Sequence, residues 1–256
     1  MTFIDPIQAH ANESFERAIR QSTDTQLIKA SSEFLIRSHQ FQYSYNFSWL
    51  GRPIIQYPQD MIAFQELVFS IRPDLIIETG IAHGGSLIFS ASLLTLLDIM
   101  DGIDPYESKR QVIGIDVDIR PHNRDELDKH PLHFKLKMVQ GSSVDPEIVD
   151  AIRAHSIGMN NILVALDSNH THDHVFAELN AYAELVTVGS YCIVFDTCIE
   201  EFPCGFTKDR PWDVGNNPKT AVDEWLKSHP EFVVDMEIGH KLMISVARFG
   251  FLKRIF

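Results

Sequence analysis

The stretch Asp74–Leu94, DLIIETGIAHGGSLIFSASLL, decides the fold. It holds a short apolar run, an acid, a loop with three glycines and a second apolar run. The first run, LIIET, has the length and continuity of a strand buried on both faces, as strands of a parallel sheet are. The second, from Gly84 to about Leu97, reads as a helix. Glycines between a strand and a helix let a backbone approach a ligand closely. The loop lacks the Gly-Lys-Ser/Thr of a P-loop, and its glycines do not follow the dinucleotide-binding spacing.

The same rhythm repeats downstream. QVIGIDV, HFKLKMVQG, NILVALDS and SYCIVFDT read as four more strands. Helices are predicted over Asp145–His155, over Thr171–Leu185, and over PKTAVDEWLKSH with Pro218 in its first turn. FVVDMEI and KLMISVARF read as a closing hairpin around Gly239-His240. Alternating strands and helices mean a doubly wound α/β domain with a mostly parallel sheet. The antiparallel ending fits the seven-stranded, Rossmann-like class I methyltransferase variant.

Upstream, residues 6–38 are predicted helical, with Thr23 or Asp24 as an internal cap. QFQYSYNFSWLGRPIIQYP reads as irregular, and Asp60 as the cap of a helix running to about Ser70. Residues 1–72 therefore form a helical N-terminal extension with an aromatic lid segment, and 73–256 the cofactor-binding domain.

Composition narrows the partners. The formal net charge of −13 over 256 residues argues against nucleic acid or anionic lipid as the main partner. No span of ~20 apolar residues is present, and the first residues lack the basic and apolar regions of a signal peptide. Cys192, Cys198 and Cys204 are odd in number and lack close zinc-type pairing. They read as structural thiols in a reducing, cytoplasmic setting.

The chemistry lies in acids at strand ends. Glu78 would repel a pyrophosphate but favour a cation, and S-adenosylmethionine brings an ammonium and a sulfonium without phosphate. Gly80, His83, Gly84, Gly85, Ser86 and Asp167 are assigned to the cofactor with Glu78. Asp116 ends the second strand, where an acid commonly accepts both ribose hydroxyls. A plainer reading makes both acids helix-dipole partners. Asp167 and Asp196 end the fourth and fifth strands and aim at one crevice, where they repel unless a cation lies between them. Mg²⁺ suits such carboxylates and would lower the pKa of a substrate hydroxyl. Asp167 and His170 are the candidate catalytic residues, with His170 as base or orienting group. His170 and His174, four apart, would share a face if both were helical, which leaves a transition-metal site with Asp173 open. Ordinary helix-start histidines are the alternative.

The segments WLGRPIIQYPQD, PDLIIETGIAHGGS, VIGIDVDIRPHNR, LDSNHTHDHVFAEL, DRPWDVGNNPKTAVDEWL and FGFLKRI occur in one order. Through them the chain resembles the cephalosporin hydroxylase / rhamnosyl O-methyltransferase family, from about Asn46 almost to the end. The resemblance implies a class I methyltransferase fold, S-adenosylmethionine, Mg²⁺ and homo-oligomers. It implies that Glu78, Gly80 and Asp116 hold the cofactor. It also implies that metal is held by Asp167 and by a Glu-Asp pair after the fifth strand. Here that pair reads Phe195-Asp196, and Phe195 cannot ligate; Thr197 and Glu200 are the candidate substitutes. The expected activity is methyl transfer to a hydroxyl of a sugar or small natural product. The rivals are an NAD(P)-dependent oxidoreductase or hydroxylase-type enzyme, and a scaffold that has lost activity. The loop RPWDVGNNP, with Arg210, Trp212, Asn216 and Asn217, reads either as a sugar contact or as a rigid turn.

Overall fold

The computed structural model describes residues 5–256. Two helices lead, α1 (Pro6–Thr23) and α2 (Thr25–Gln40), with Asp24 capping α2 through the amides of Gln26 and Leu27. The aromatic segment holds a small hairpin, β1 (Phe47–Trp49) and β2 (Arg52–Ile54). Its turn residues Leu50 and Gly51 have φ of 45° and 87°, the two left-handed positions that match the twist of paired strands.

There follow α3 (Pro58–Ile71), β3 (Leu75–Thr79), α4 (Gly85–Met100), β4 (Gln111–Asp116), α5 (Pro121–Asp128) and β5 (Leu136–Gln140). Next come α6 (Pro146–Ser156), β6 (Ile162–Leu166), α7 (His172–Tyr182), β7 (Tyr191–Val194) and α8 (Pro218–Trp225). The chain closes with β8 (Phe232–Val234), α9 (Met236–Leu242) and β9 (Phe251–Arg254). The seven-stranded sheet has the order β5-β4-β3-β6-β7-β9-β8. The first five strands in that order are parallel, and β9 runs antiparallel to β7 and β8. The winding reverses between β3 and β6, which opens a crevice at their carboxyl ends.

The apolar runs explain the layers. Every residue of β3, β6 and β7 is buried. Alternation divides them: Ile76 joins a core with Leu87, Leu94 and Phe64 from α4 and α3. Leu75 and Ile77 join Val149, Leu179 and Trp225 from α6, α7 and α8. Each such side chain contributes about 1.5–3 kcal/mol by leaving water. Leu35, Ile54 and Tyr57 belong to the α4 core as well, so the segment before β3 packs into the sheet's own interior.

Three expectations change. Gly239 and His240 lie inside α9, and KLMISVARF is not a strand: the last strand is β9, Phe251–Arg254, so the closing strands are joined by a long connection instead of a tight turn. Asp235 causes this: its side chain caps α9 at the Glu237 amide and accepts from the Tyr191 hydroxyl. The segment after α9 is then drawn to Asp60, which accepts from Ser245 Oγ at 2.5 Å and Val246 N at 2.9 Å. Asp60 is therefore buried inside the first turn of α3 and does not cap it. Helix α5, with Pro121 at its start, was not expected from the polar run around it.

Candidate active site at the sheet reversal

The glycine loop is shaped by protein contacts. Gly80 has φ +89°, and a Cβ there would lie 2.0 Å from the Asp167 carbonyl oxygen. A Cβ on Gly85 would lie 2.2 Å from the Pro53 carbonyl oxygen. Only glycine lets this loop run against the end of β6 and seat the β1–β2 hairpin on α4. The close approach read from the sequence is thus first an approach of backbone to backbone. Gly84 stands at the N-cap of α4. Arg52 clamps the loop from outside: its guanidinium donates to the His83 carbonyl at 2.7 and 3.0 Å and to Asn123 Oδ1 at 2.9 Å. His83 is thereby fixed through its backbone.

Asp116 holds the same loop. Its Oδ2 accepts from the amides of Ile81 (2.8 Å) and Ala82 (3.3 Å), and Oδ1 from Asp118 (2.9 Å). Glu78, only 4% exposed, accepts from the Ser86 hydroxyl. Burial pushes its carboxyl up to about 7, against the smaller downward pull of Ser86.

Glu78 and Asp167 face one narrow pocket with a cavity volume of about 20 Å³. Its other polar walls are Gln56, Asp60, Ser86 and Ser90; Ile54, Phe64, Phe89 and Phe195 supply apolar surface. No lysine or arginine lines it, so it favours a cationic guest over a phosphate. Asp167 Oδ2 accepts from Gln56 Nε2 at 3.1 Å. Burial raises the Asp167 pKa well above the usual carboxylate range, and repulsion from Asp196, Glu78, Glu178 and Asp60 adds to it. Gln56 and Asp60 were missed as site residues. They stand before and inside α3, outside the strand ends where chemistry was sought; the signal that could have found them is the family segment WLGRPIIQYPQD, which contains both.

At the mouth stand Asp196 and His170. Asp196 has φ +56°, a left-handed conformation that Asp tolerates better than most residues. His170 Nε2 lies 3.1 Å from Asp196 Oδ2. Asp167, His170 and Asp196 each offer one ligand atom, all within 4.8 Å of one another. The His170 and Trp212 rings form a T-shaped pair, centroids 4.7 Å apart, and Arg210 lies over the same indole.

The three histidines part company. Because α7 starts at His172, His170 and His174 do not share a helical face. His172 turns to Thr220 and Glu224, and His174 to Ser143, Ser168 and the buried Glu178. Thr197 is buried against the Val246 carbonyl, and Glu200 accepts from Gly215 N and Asn217 Nδ2. Neither reaches the cluster, and Phe195 is buried in the pocket wall. Asn217 caps α8, and Asn216 binds the His172 amide and the Pro211 carbonyl. The asparagines therefore build a rigid turn, and Trp212 is left at the site. Cys192 and Cys198 are buried and Cys204 exposed, all free thiols. No helix among the described residues is long and apolar enough to cross a membrane.

This strand order, with an acidic cluster at its reversal point, is that of the class I methyltransferase fold. The family model Rhamnosyl O-methyltransferase/CmcI matches residues 41–255, and the chain belongs to that family. It is similar to rhamnosyl O-methyltransferases of Mycobacterium tuberculosis and M. bovis. Each is 28% identical over 199 residues, covering 76% of this chain and 73% of the relative. The M. leprae protein is 26% identical over 209 residues, covering 81% and 82%. Among solved structures, CmcI with Mg and SAM superposes with a TM-score of 0.56 at 21% identity, covering 83% and 78%. CmcI with SAH gives 0.55 at 21%, covering 82% and 83%. Family and fold together make this chain an S-adenosylmethionine-dependent O-methyltransferase.

Proposed function

We propose that the chain transfers the methyl group of S-adenosylmethionine to a hydroxyl of a sugar, with a divalent cation at the acceptor end. One observation carries this: Asp167, His170 and Asp196 converge beside a pocket that has acids and no cationic side chain. The rhamnosyl O-methyltransferases among its relatives support a sugar hydroxyl as acceptor. CmcI with Mg and SAM supports the cofactor pair.

Glu78 and Ser86 are the residues for the cofactor's cationic half, with Gly80, His83, Gly84 and Gly85 forming the loop around it. Asp116 is the residue for the ribose. It already accepts three amides, and a carboxylate has about four acceptor sites, so one position is left for a hydroxyl. The donor set fits a cation. Asp167 and Asp196 would hold it; burial first, and then repulsion from Asp196 and the other nearby acids, raises the Asp167 pKa, and a bound cation would offset both. When bound, the cation lowers the pKa of a substrate hydroxyl. The sulfonium is already a good leaving group, so the protein's work is alignment, worth about 7–11 kcal/mol in well-oriented systems. Trp212 offers an aromatic wall to a sugar ring. Exposed Ile7, Phe15, Ile19 and Leu27 on α1 and α2 support a homo-oligomer.

Calorimetry with S-adenosylmethionine, combined with methyl-transfer assays on rhamnosyl glycosides, tests the assignment. Asp116→Ala should weaken cofactor binding, whereas Asp167→Ala should mainly reduce turnover. The opposite pattern reverses the two roles, and a wild-type protein that binds no S-adenosylmethionine ends the proposal.

A further inference from the structure

Where the family resemblance leads one to expect a second metal-binding acid, this chain has Phe195, 7% exposed and without a ligand atom. The nearby oxygens are engaged elsewhere: Thr197 with Val246, Glu200 with Gly215 and Asn217, and Glu178 with Ser143 and Ser168. What reaches Asp167 and Asp196 instead is an imidazole. Nε2 of His170 stands 3.1 Å from Asp196 Oδ2. Two ligands at right angles on a cation with bonds of about 2.1 Å lie about 3 Å apart. The 3.1 Å separation therefore has the spacing of two neighbouring ligands, with an unprotonated Nε2 aimed at the cation and the proton on Nδ1.

We infer that His170 Nε2 is the third protein ligand of the cation, in place of the acid that Phe195 displaced, and that this His-Asp-Asp set selects Mn²⁺ over Mg²⁺. The inference rests on the proposed cation at this end of the site. Its chemical basis is ligand type. Mg²⁺ is a hard ion that prefers oxygen and gives up its waters reluctantly. Mn²⁺ tolerates oxygen and imidazole together, and it lies on the affinity series in which nitrogen ligands favour transition metals. A ligated Nε2 has no lone pair for the hydroxyl proton, so the base expected at His170 is not there.

The intact protein should be titrated with Mn²⁺, following the free ion by electron paramagnetic resonance, and then with Mg²⁺ as competitor. Wild type should hold Mn²⁺ at least about tenfold more tightly than Mg²⁺. Pulsed resonance of the Mn²⁺-loaded protein should show coupling to a directly bound nitrogen. His170→Ala should abolish that coupling and weaken Mn²⁺ at least about tenfold. His170→Gln, checked for an unchanged melting transition, guards against a folding defect and should likewise lose the nitrogen signal. Adding Phe195→Glu to His170→Ala should restore binding and move the preference back toward Mg²⁺. Absence of nitrogen coupling in wild type, retained Mn²⁺ affinity in His170→Ala, or equal affinity for both ions would each overturn the inference. A wild type that binds neither ion removes the proposed cation itself.

Discussion

Replacing Glu78 by glutamine should make the ligand-free protein more stable relative to wild type as pH rises. The carboxyl is buried, accepts from Ser86, and has its pKa raised from 4.5 to about 7 by burial. The folded state therefore holds this proton more tightly than the unfolded chain does. Stability from that proton is fully present below 4.5 and is lost as pH climbs through 7. Between pH 5 and pH 8 the loss amounts to about 2.5 kcal/mol. Glutamine keeps the shape and the acceptor for Ser86 but has no proton to lose. The stability difference between variant and wild type should thus widen by about 2.5 kcal/mol over that range. For a chain of this length that is roughly 5–10 °C in Tm. Urea unfolding at pH 5, 6, 7 and 8 measures it. A flat difference would show that Glu78 is ionised and compensated in the fold, and the view of it as a strained seat for a cation would fail. The same substitution should weaken S-adenosylmethionine binding, the usual exchange of function for stability at such a site.

Gly80→Ala meets both a left-handed φ and a backbone oxygen 2.0 Å away, so it should cost about 3 kcal/mol or more. Gly102→Ala, at φ +69° in open space, should cost only about 1–2 kcal/mol in the same denaturation assay. Lys135→Met should cost about 3 kcal/mol, because buried Asp98 loses its 2.5 Å partner and keeps only Arg110 and the Ser108 hydroxyl; equal stability would mean the pair contributes nothing net. Trp212→Ala should raise KM for a rhamnosyl acceptor up to about tenfold and leave S-adenosylmethionine affinity unchanged. A change in cofactor affinity alone would place Trp212 on the wrong side of the site.

The strand-rich half of the chain was legible because each strand is its own signal. LIIET, ILVAL and YCIV are buried on both faces, and charged or strongly polar side chains enter only at the end of LIIET, with Glu78 and Thr79. The acids that end those strands were legible for the same reason: a strand's end is fixed by its own sequence, and in a parallel sheet all such ends face one edge. From this alone came Glu78, Asp116, Asp167 and Asp196, and with them the kind of chemistry. The closing hairpin failed where a local pattern competed with a distant partner. Asp235 capping a helix and Asp60 gripping Ser245 are contacts across long stretches of chain, and no period in the sequence records them.

The sequence by itself determined the sheet, its reversal point and the four strand-end acids, since these follow from hydrophobic period and strand termination. Tertiary structure alone decided what surrounds them. It turned the glycines toward protein carbonyls, brought Gln56 and Asp60 into the pocket wall, sent His172 and His174 away and left His170 against Asp196. The reason is physical: burial and charge repulsion act between groups that are neighbours in space, and only the folded chain sets who those neighbours are.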